Sequence, residues 1–237
     1  MNKGGTYEEA AVLYRSNAQS RAIEEALLRV SIPYRIYGGL RFYERLEIKN
    51  AISYLRIIFN NNDNPSFERS ISNPTRGVGE KTLAKIRNAA KQYNISYIKA
   101  SAKLIDEGKI SGRGGSGLKD YLEFIAGCKG FIEENSLSDL MELIIKETGL
   151  YAYHAKEAGE KGKTRTENLE ELITATKNFE QSIKDERTNI EIAESYLDII
   201  SLDSGDRQAS EHDDAAQLMT MHSCLLYTSP SPRDLQG

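Results

Sequence analysis

The sequence has no tryptophan, two cysteines, three histidines and five prolines in 237 residues. Each shortage excludes something. Cys128 and Cys224 lie far apart and match no metal-ligand spacing, so the usage reads as that of a reduced, intracellular and cytoplasmic protein. His154, His212 and His222 form no H-x-x-H or H-E-x-x-H pattern, which argues against a structural zinc site. No apolar run reaches the roughly 18 residues that a membrane span needs. No basic-then-apolar leader opens the chain. The expectation is a chain that neither spans a membrane nor carries a visible secretion signal.

Neither sign of charge dominates. The formal net charge is −4, but it conceals a polarity. From Arg76 to Lys103, seven Lys/Arg stand against one Glu; from Glu180 to Asp214, eleven acids stand against three bases. A basic block inside an acidic chain is either a local surface for a polyanion or a solvated helix face. Hydrophobic residues make up 39% and charged residues 28%, which suits a globular protein of one large or two small domains.

The periodicity changes twice along the chain. "AAVLYR" (10–15) and "IPYRIYGG" (32–39) are short apolar runs that predict strands. Between them, "SNAQSRAIEEALLRV" predicts a helix capped by Ser16 or Asn17, with Ile23, Leu27 and Val30 on one face. Strand, helix and strand in about 30 residues predict a parallel βαβ unit. After Gly39 the pattern is helical, over 43–60, 80–92, 95–106, 117–133, 137–147, 166–182 and 188–200. "NPTRGVG", "EGKISGRGG" and "AGEKGKTR" read as loops. "DDAAQLMTMHS" (213–223) predicts a strand returning to the first sheet. The plan is an α/β domain interrupted by an all-helical insertion, with "IYGG" and "DSGDRQ" as the crossings that would permit a swivel. The last fourteen residues, "CLLYTSPSPRDLQG", continue no periodicity.

Three stretches carry candidate chemistry. "NPTRGVGEKT" (73–82) looks like a phosphate-binding loop, but a nucleotide P-loop needs G-x-x-x-x-G-K-[ST] after a strand. Here a Glu separates the last Gly from Lys81, and the preceding residues look helical or turn-like. Gly-Val-Gly at the mouth of a helix can instead expose backbone N–H groups and the helix dipole to a DNA backbone phosphate. The bland reading, a helix–turn–helix connection that needs glycine for geometry, stands beside it. "GRGGSG" (112–117) fits G-x-G-x-x-G literally but follows no strand, so it reads as a flexible loop with Arg113 available to a phosphate. "YRSNAQSR" and "MTMHS" sit at strand ends, where α/β sheets gather ligands.

Five stretches, "AVLYRSNAQSRAIEEALL", "PYRIYGGLRFYERLEIKNAISYLR", "NPTRGVGEKTL", "EKGKTRTENLEELITAT" and "AAQLMTMHS", resemble the UvrD/Rep/PcrA group of superfamily 1 DNA helicases, of UvrD type. The resemblance is collinear over residues 5–223. It implies a mainly α chain: a partial RecA-like α/β motor domain interrupted by a large all-helical insertion. Residues 1–38 would begin the second motor domain, 39–208 would be the insertion, and 209–223 the return strand. Residues 224–237 depart from the family, which continues Ala-Lys-Gly-Leu-Glu-Phe after "TMHS"; they read as a non-native tail, and Met1 reads as an internal or artefactual start. The family's Walker A lysine, Walker B acids and late arginine motif have no counterpart in this chain.

The parent would then be an ATP-dependent 3′–5′ DNA helicase, using ATP and Mg²⁺, in repair or replication. This chain alone would hold neither and hydrolyse no ATP. Its partners would be single-stranded and duplex DNA, with repair or replication proteins and no membrane. By resemblance, Arg15 and Asn17 contact single-stranded DNA, and Thr220 and His222 belong to a motif that touches the DNA backbone and couples it to ATP. Gly77, Gly79 and Thr82 grip the duplex, with Lys49 assisting. The rivals are a non-catalytic duplex-DNA-binding helical module and a helical scaffold with no nucleic-acid role.

Overall fold

The computed structural model describes residues 5–205 and 213–228. "DSGDRQ" therefore lies partly outside the described residues, as do residues 209–212 and the chain beyond Thr228. The chain divides into two compact units, residues 1–45 with 201–237, and residues 46–200.

The first unit is a small parallel sheet. β1 (Ala11–Tyr14) is followed by a 3-10 turn (Asn17–Gln19) and α1 (Ser20–Arg29), then β2 (Tyr34–Tyr37). β3 (Ala216–Thr220), almost 180 residues later, lies between them in the order β1-β3-β2. Tyr14 pairs with Thr220, and Tyr37 with Met219. The predicted parallel βαβ unit is present, with its crossover passing over a slot that a remote strand fills. Tyr14, Tyr34, Ile36, Ala216 and Leu218 form the core, covered by Ile23, Leu27 and Leu28 of α1. Val30 leaves the predicted apolar face and is 61% exposed. The helix stops at Arg29 because Ser31 adopts φ +56, which turns the chain out of the helix.

The second unit is helical: α2 (Leu46–Phe59), α3 (Asn64–Ser72), α4 (Glu80–Tyr93), α5 (Tyr97–Asp106), α6 (Gly112–Glu134), α7 (Leu137–Glu147), α8 (Leu150–Ala155), α9 (Glu160–Ser182) and most of α10 (Asn189–Gly205). α2 is apolar on several sides, with Ile48, Ile52, Tyr54, Leu55, Ile57 and Ile58 buried. It packs against α3, α6, α7 and α9, so it is the axis of this unit. Asp63 stops the gap after α2 by accepting from Ser66 N at 3.0 Å, with Pro65 in the first turn of α3. Cys128 is buried in α6, and that burial pushes its thiol up to about 12.

Several predicted loops are helix instead. "GRGGSG" is the first turns of α6, not a flexible connection. A Cβ at Gly117 would lie 2.1 Å from Arg76 O, and one at Gly114 2.9 Å from Gly77 O. These glycines let the helix lie against another backbone, a packing demand that overrides their poor helix propensity. "AGEKGKTR" likewise enters α9 at Glu160; a Cβ at Gly162 would meet Glu157 O at 2.3 Å and His154 O at 2.8 Å, so glycine lets the first turn of α9 rest on the end of α8. The short helices α3 and α8 carry too few periods to be read from sequence. The return strand ends at Thr220, and α11 (Met221–Thr228) begins at once. The opening residues of the aperiodic tail, 224–228, are therefore helical.

A buried polar cluster ties α2, α8 and α9 together. Glu47 is 4% exposed and accepts from Asn168 Nδ2 at 2.6 Å. Arg165 reaches Glu47 at 3.6 Å and Glu157 at 2.5 Å, and Glu157 meets the buried His154 Nδ1 at 3.0 Å. Desolvation pushes the Glu157 carboxyl up, but the His154 hydrogen bond and the Arg165 charge outweigh it, so the net direction is down. A depressed carboxyl contributes stability above its unfolded value of about 4.3 and loses it as pH falls through the folded value. Unfolding of wild type and Glu157→Gln followed from about pH 6 to about pH 3 should show a stability difference that vanishes on acidification. A constant difference would assign the effect to packing.

Candidate nucleic-acid interface

Two groups of the predicted contact residues assemble, one in each unit. In the first unit, the parallel register brings the carboxyl ends of β1 and β3 side by side, since Tyr14 pairs with Thr220. Arg15 is exposed and Asn17 half-buried immediately after β1. The turn that presents them is held by Gln19, whose Oε1 accepts from Arg15 N at 3.0 Å and Ser16 N at 3.1 Å. Ser16, not Asn17, therefore forms the capping box, which leaves the Asn17 side chain out of that role. Thr220 closes β3, but its hydroxyl accepts from Ser223 N at 3.1 Å and donates to Ser223 Oγ at 2.9 Å. His222 does not project from a strand; it is exposed in the first turn of α11. The correction has a simple cause, since Thr220 caps a helix that ends the strand two residues early.

A residue absent from the sequence reading supports this edge. Arg45 is buried, and its Nη1 donates to Asn17 O at 2.8 Å while its Nη2 donates to Ser20 Oγ at 2.6 Å. Glu24, also buried, lies 4.0 Å from Arg45 and accepts from Ser20 Oγ at 2.6 Å and Phe42 N at 3.2 Å. The turn that carries Asn17 is thus fixed from beneath. The available signal was a charged pair in otherwise apolar surroundings, which reads equally well as solvated surface.

In the second unit, Gly77, Val78 and Gly79 form the turn into α4. Gly77 has φ +74, a conformation that favours glycine. Gly79 is exposed, with nothing within 4 Å of where a side chain would begin. Val78 points inward and is 8% exposed. Glu80 and Lys81 head α4, so their amides lack intrahelical acceptors, and they donate to no other group among the described residues. Thr82 is half-buried on the same turn. The Glu80 carboxylate is drawn aside by Arg87 at 2.5 Å. The geometry offers a donor-lined, uncluttered helix mouth to an anion.

Arg76 anchors this turn from below. It donates to Ser70 O at 3.2 Å, Pro74 O at 2.8 Å and Thr148 O at 3.1 Å. Its guanidinium stacks 5.4 Å from the Tyr54 ring and 5.6 Å from that of Tyr121. Burial pushes both tyrosine hydroxyls up, despite the opposing charge of Arg76, so both remain neutral. The basic block is therefore only partly a surface for polyanions. Arg76 is structural, Arg87 is tied to Glu68 and Glu80, and Lys103 is paired with Glu107. Lys49 is exposed on α2 and makes no hydrogen bond or ion pair to residues 77–82 among the described residues.

The same geometry does not fit a nucleotide cradle. α3 and a turn, not a strand, lead into Gly77. No group of three or more His, Cys, Asp or Glu suited to a metal ion occurs among the described residues. No described helix is long and apolar enough to cross a membrane.

Residues 1–110 match the family model described as the UvrD-like helicase C-terminal domain. The chain is 45% identical over 222 residues to DNA helicase II of Escherichia coli strain K12, covering 94% of this chain and 31% of that protein. It is 44% identical over 221 residues to DNA helicase II of Haemophilus influenzae, covering 93% of this chain and 30% of the relative. It is 35% identical over 216 residues to the ATP-dependent DNA helicase PcrA of Bacillus subtilis, covering 90% of this chain and 29% of the relative. The chain spans about a third of the length of these curated relatives, and over residues 1–110 it is similar to the UvrD-like helicase C-terminal domain.

Proposed function

We propose that this chain is the DNA-engaging part of an ATP-dependent 3′–5′ DNA helicase that serves repair or replication in the cytoplasm. Its first unit is part of a motor domain, and its second unit is the helical insertion. The observation that carries this reading is the Gly77–Thr82 helix mouth: positive φ at Gly77, open space at Gly79, and free amides at Glu80 and Lys81. Backbone donors of this kind grip phosphate oxygens without reading bases, as a translocating enzyme requires. Gly77, Gly79 and Thr82 hold duplex phosphates, with Lys49 contributing charge. Arg15, Asn17 and Thr220 at the carboxyl ends of β1 and β3, with His222 in the adjacent first turn of α11, meet a single strand. The names of the relatives, DNA helicase II and ATP-dependent DNA helicase, support the same reading. ATP, with Mg²⁺, would supply the energy for translocation; the residues described here form no cradle for it, and their part is to hold DNA.

The test has two arms. The chain itself is titrated with fluorescent duplex and single-stranded DNA across a salt series. The expected result is duplex binding whose log–log salt dependence has a slope of several units, at about −0.9 per neutralised phosphate. Absence of salt-dependent binding overturns the reading in favour of a scaffold. The complete protein is then assayed for ATP-dependent strand displacement on 3′-tailed and 5′-tailed duplexes. Duplex binding by the chain without displacement by the complete protein would establish the alternative, a non-catalytic duplex-binding module.

A further inference from the structure

The phosphate grip has a feature that the Gly-Val-Gly turn does not account for. The N-terminal turns of α6 lie directly against it. Arg113 Cγ is 3.2 Å from where a Gly77 Cβ would stand, and Arg113 O is 3.5 Å from the same point. Gly114 meets Gly77 O at 2.9 Å and Thr82 Oγ1 at 3.9 Å by the same measure, and Gly117 meets Arg76 O. Arg113 is thus carried on a helix locked to the turn by close backbone contact, not on a mobile loop.

Its charge is uncommitted. Arg113 is exposed and makes no ion pair or side-chain hydrogen bond among the described residues. The neighbouring arginines differ: Arg76 is spent on three carbonyls, and Arg87 on Glu68 and Glu80. The first turn of α6 holds no acid, and the nearby acid Glu80 is held by Arg87. A long cationic side chain that packs its stem along a glycine and leaves its head unpaired is placed for a polyanion beside that glycine.

We infer that Arg113 on α6 is a further duplex-phosphate contact, forming with Gly77–Thr82 of α4 a two-helix clamp on one DNA backbone. The inference rests on the duplex-binding reading above. The α4 amides hold one phosphate, and the Arg113 guanidinium neutralises a neighbouring one by charge-assisted hydrogen bonds. This contact carries no base information, so it strengthens binding equally on all sequences.

The test compares the chain with Arg113→Ala and Arg113→Lys, using a labelled duplex of mixed sequence over a salt series. Thermal melting is recorded alongside. Arg113→Ala is expected to reduce the magnitude of the salt slope by about 0.9 and to weaken binding roughly five- to tenfold near 0.1 M salt. Its melting temperature should stay unchanged, and Arg113→Lys should restore most of the slope. A wild-type slope in Arg113→Ala overturns the inference while leaving the duplex reading intact. Equal loss in both variants, with a lowered melting temperature, also overturns it, because the role would then be packing. A wild-type chain that shows no salt-dependent duplex binding removes the underlying reading itself.

Discussion

Arg76→Ala is expected to destabilise the helical unit by about 3 kcal/mol. The side chain holds the carbonyls of Ser70, Pro74 and Thr148 together, so it joins the end of α3, the turn before α4 and the end of α7. Hydrogen bonds from a charged donor are each worth about 1.5–3 kcal/mol net. Stacking on Tyr54 and Tyr121 adds roughly 1 kcal/mol, and partial exposure of the arginine discounts the total. Tyr54 OH also lies 2.6 Å from Ser70 O and 2.9 Å from Asn73 O, so part of the turn survives. Hydrogen exchange of the α4 and α6 amides in wild type and variant measures the loss. A cost below about 1 kcal/mol would mean that water replaces the guanidinium readily. The variant should also bind duplex DNA weakly, although Arg76 faces inward, because Gly77 follows it directly. Weak binding with an unchanged salt slope would identify that indirect route.

Glu47→Ala should cost about 3–5 kcal/mol, the range for breaking a buried pair by removing one partner. Glu47 is 4% exposed and joins α2 to α9 through Asn168 and Arg165. Its loss leaves Arg165 with Glu157 alone among the described carboxylates. Glu47→Gln retains the shape and an acceptor for Asn168, so it should cost less than half as much. Hydrogen exchange of the α9 amides is the suitable readout, because a chain of two units does not melt as one. Equal effects of the two substitutions would show that the whole loss comes from the charge and none from shape or the Asn168 hydrogen bond.

Much of the fold was legible in local pattern. β-branched and aromatic runs marked β1 and β2, and 3.6-residue periodicity marked α2, α4, α5 and α7. The helix-like spacing in "EIKNAISYLRIIF" (47–59) also foretold a helix, though not that it would be surrounded on most sides. Glycine misled the reading in two places. At 112–117 and at 162 it signalled a loop locally, yet it serves as a smooth surface where one backbone rests on another. At Gly114 and Gly117 the partner, Gly77 and Arg76, is distant in sequence, which no window reveals; at Gly162 it is the end of the preceding helix. The basic block misled it in another way. Residue type showed charge, but only geometry showed that Arg76, Arg87 and Lys103 already have partners.

The candidate contacts divide along the same line. The glycine pair, Lys81 and Thr82 were legible because a helix mouth is a local structure, complete within ten residues. Arg15 and Asn17 were legible because a strand end followed by a cap is local too. His222 was misplaced, because the switch from strand to helix at Thr220 rests on one hydroxyl capping the next turn. Arg45 and Glu24 went unseen, since their role requires α1 and the segment after β2 to be brought together.

The sequence by itself determined most of the strand and long-helix segments, the need for glycine at Gly77, and the likeness to UvrD-like helicases. Those properties follow from side-chain chemistry repeated over a few residues and from motif order. Only the tertiary structure decided that β3 enters between β1 and β2, that α6 lies on the Gly77 turn, and which arginines remain available to a ligand. These depend on contacts between segments far apart in the chain. Such contacts form only where burial and hydrogen bonding together outweigh the entropy of closing the intervening loop.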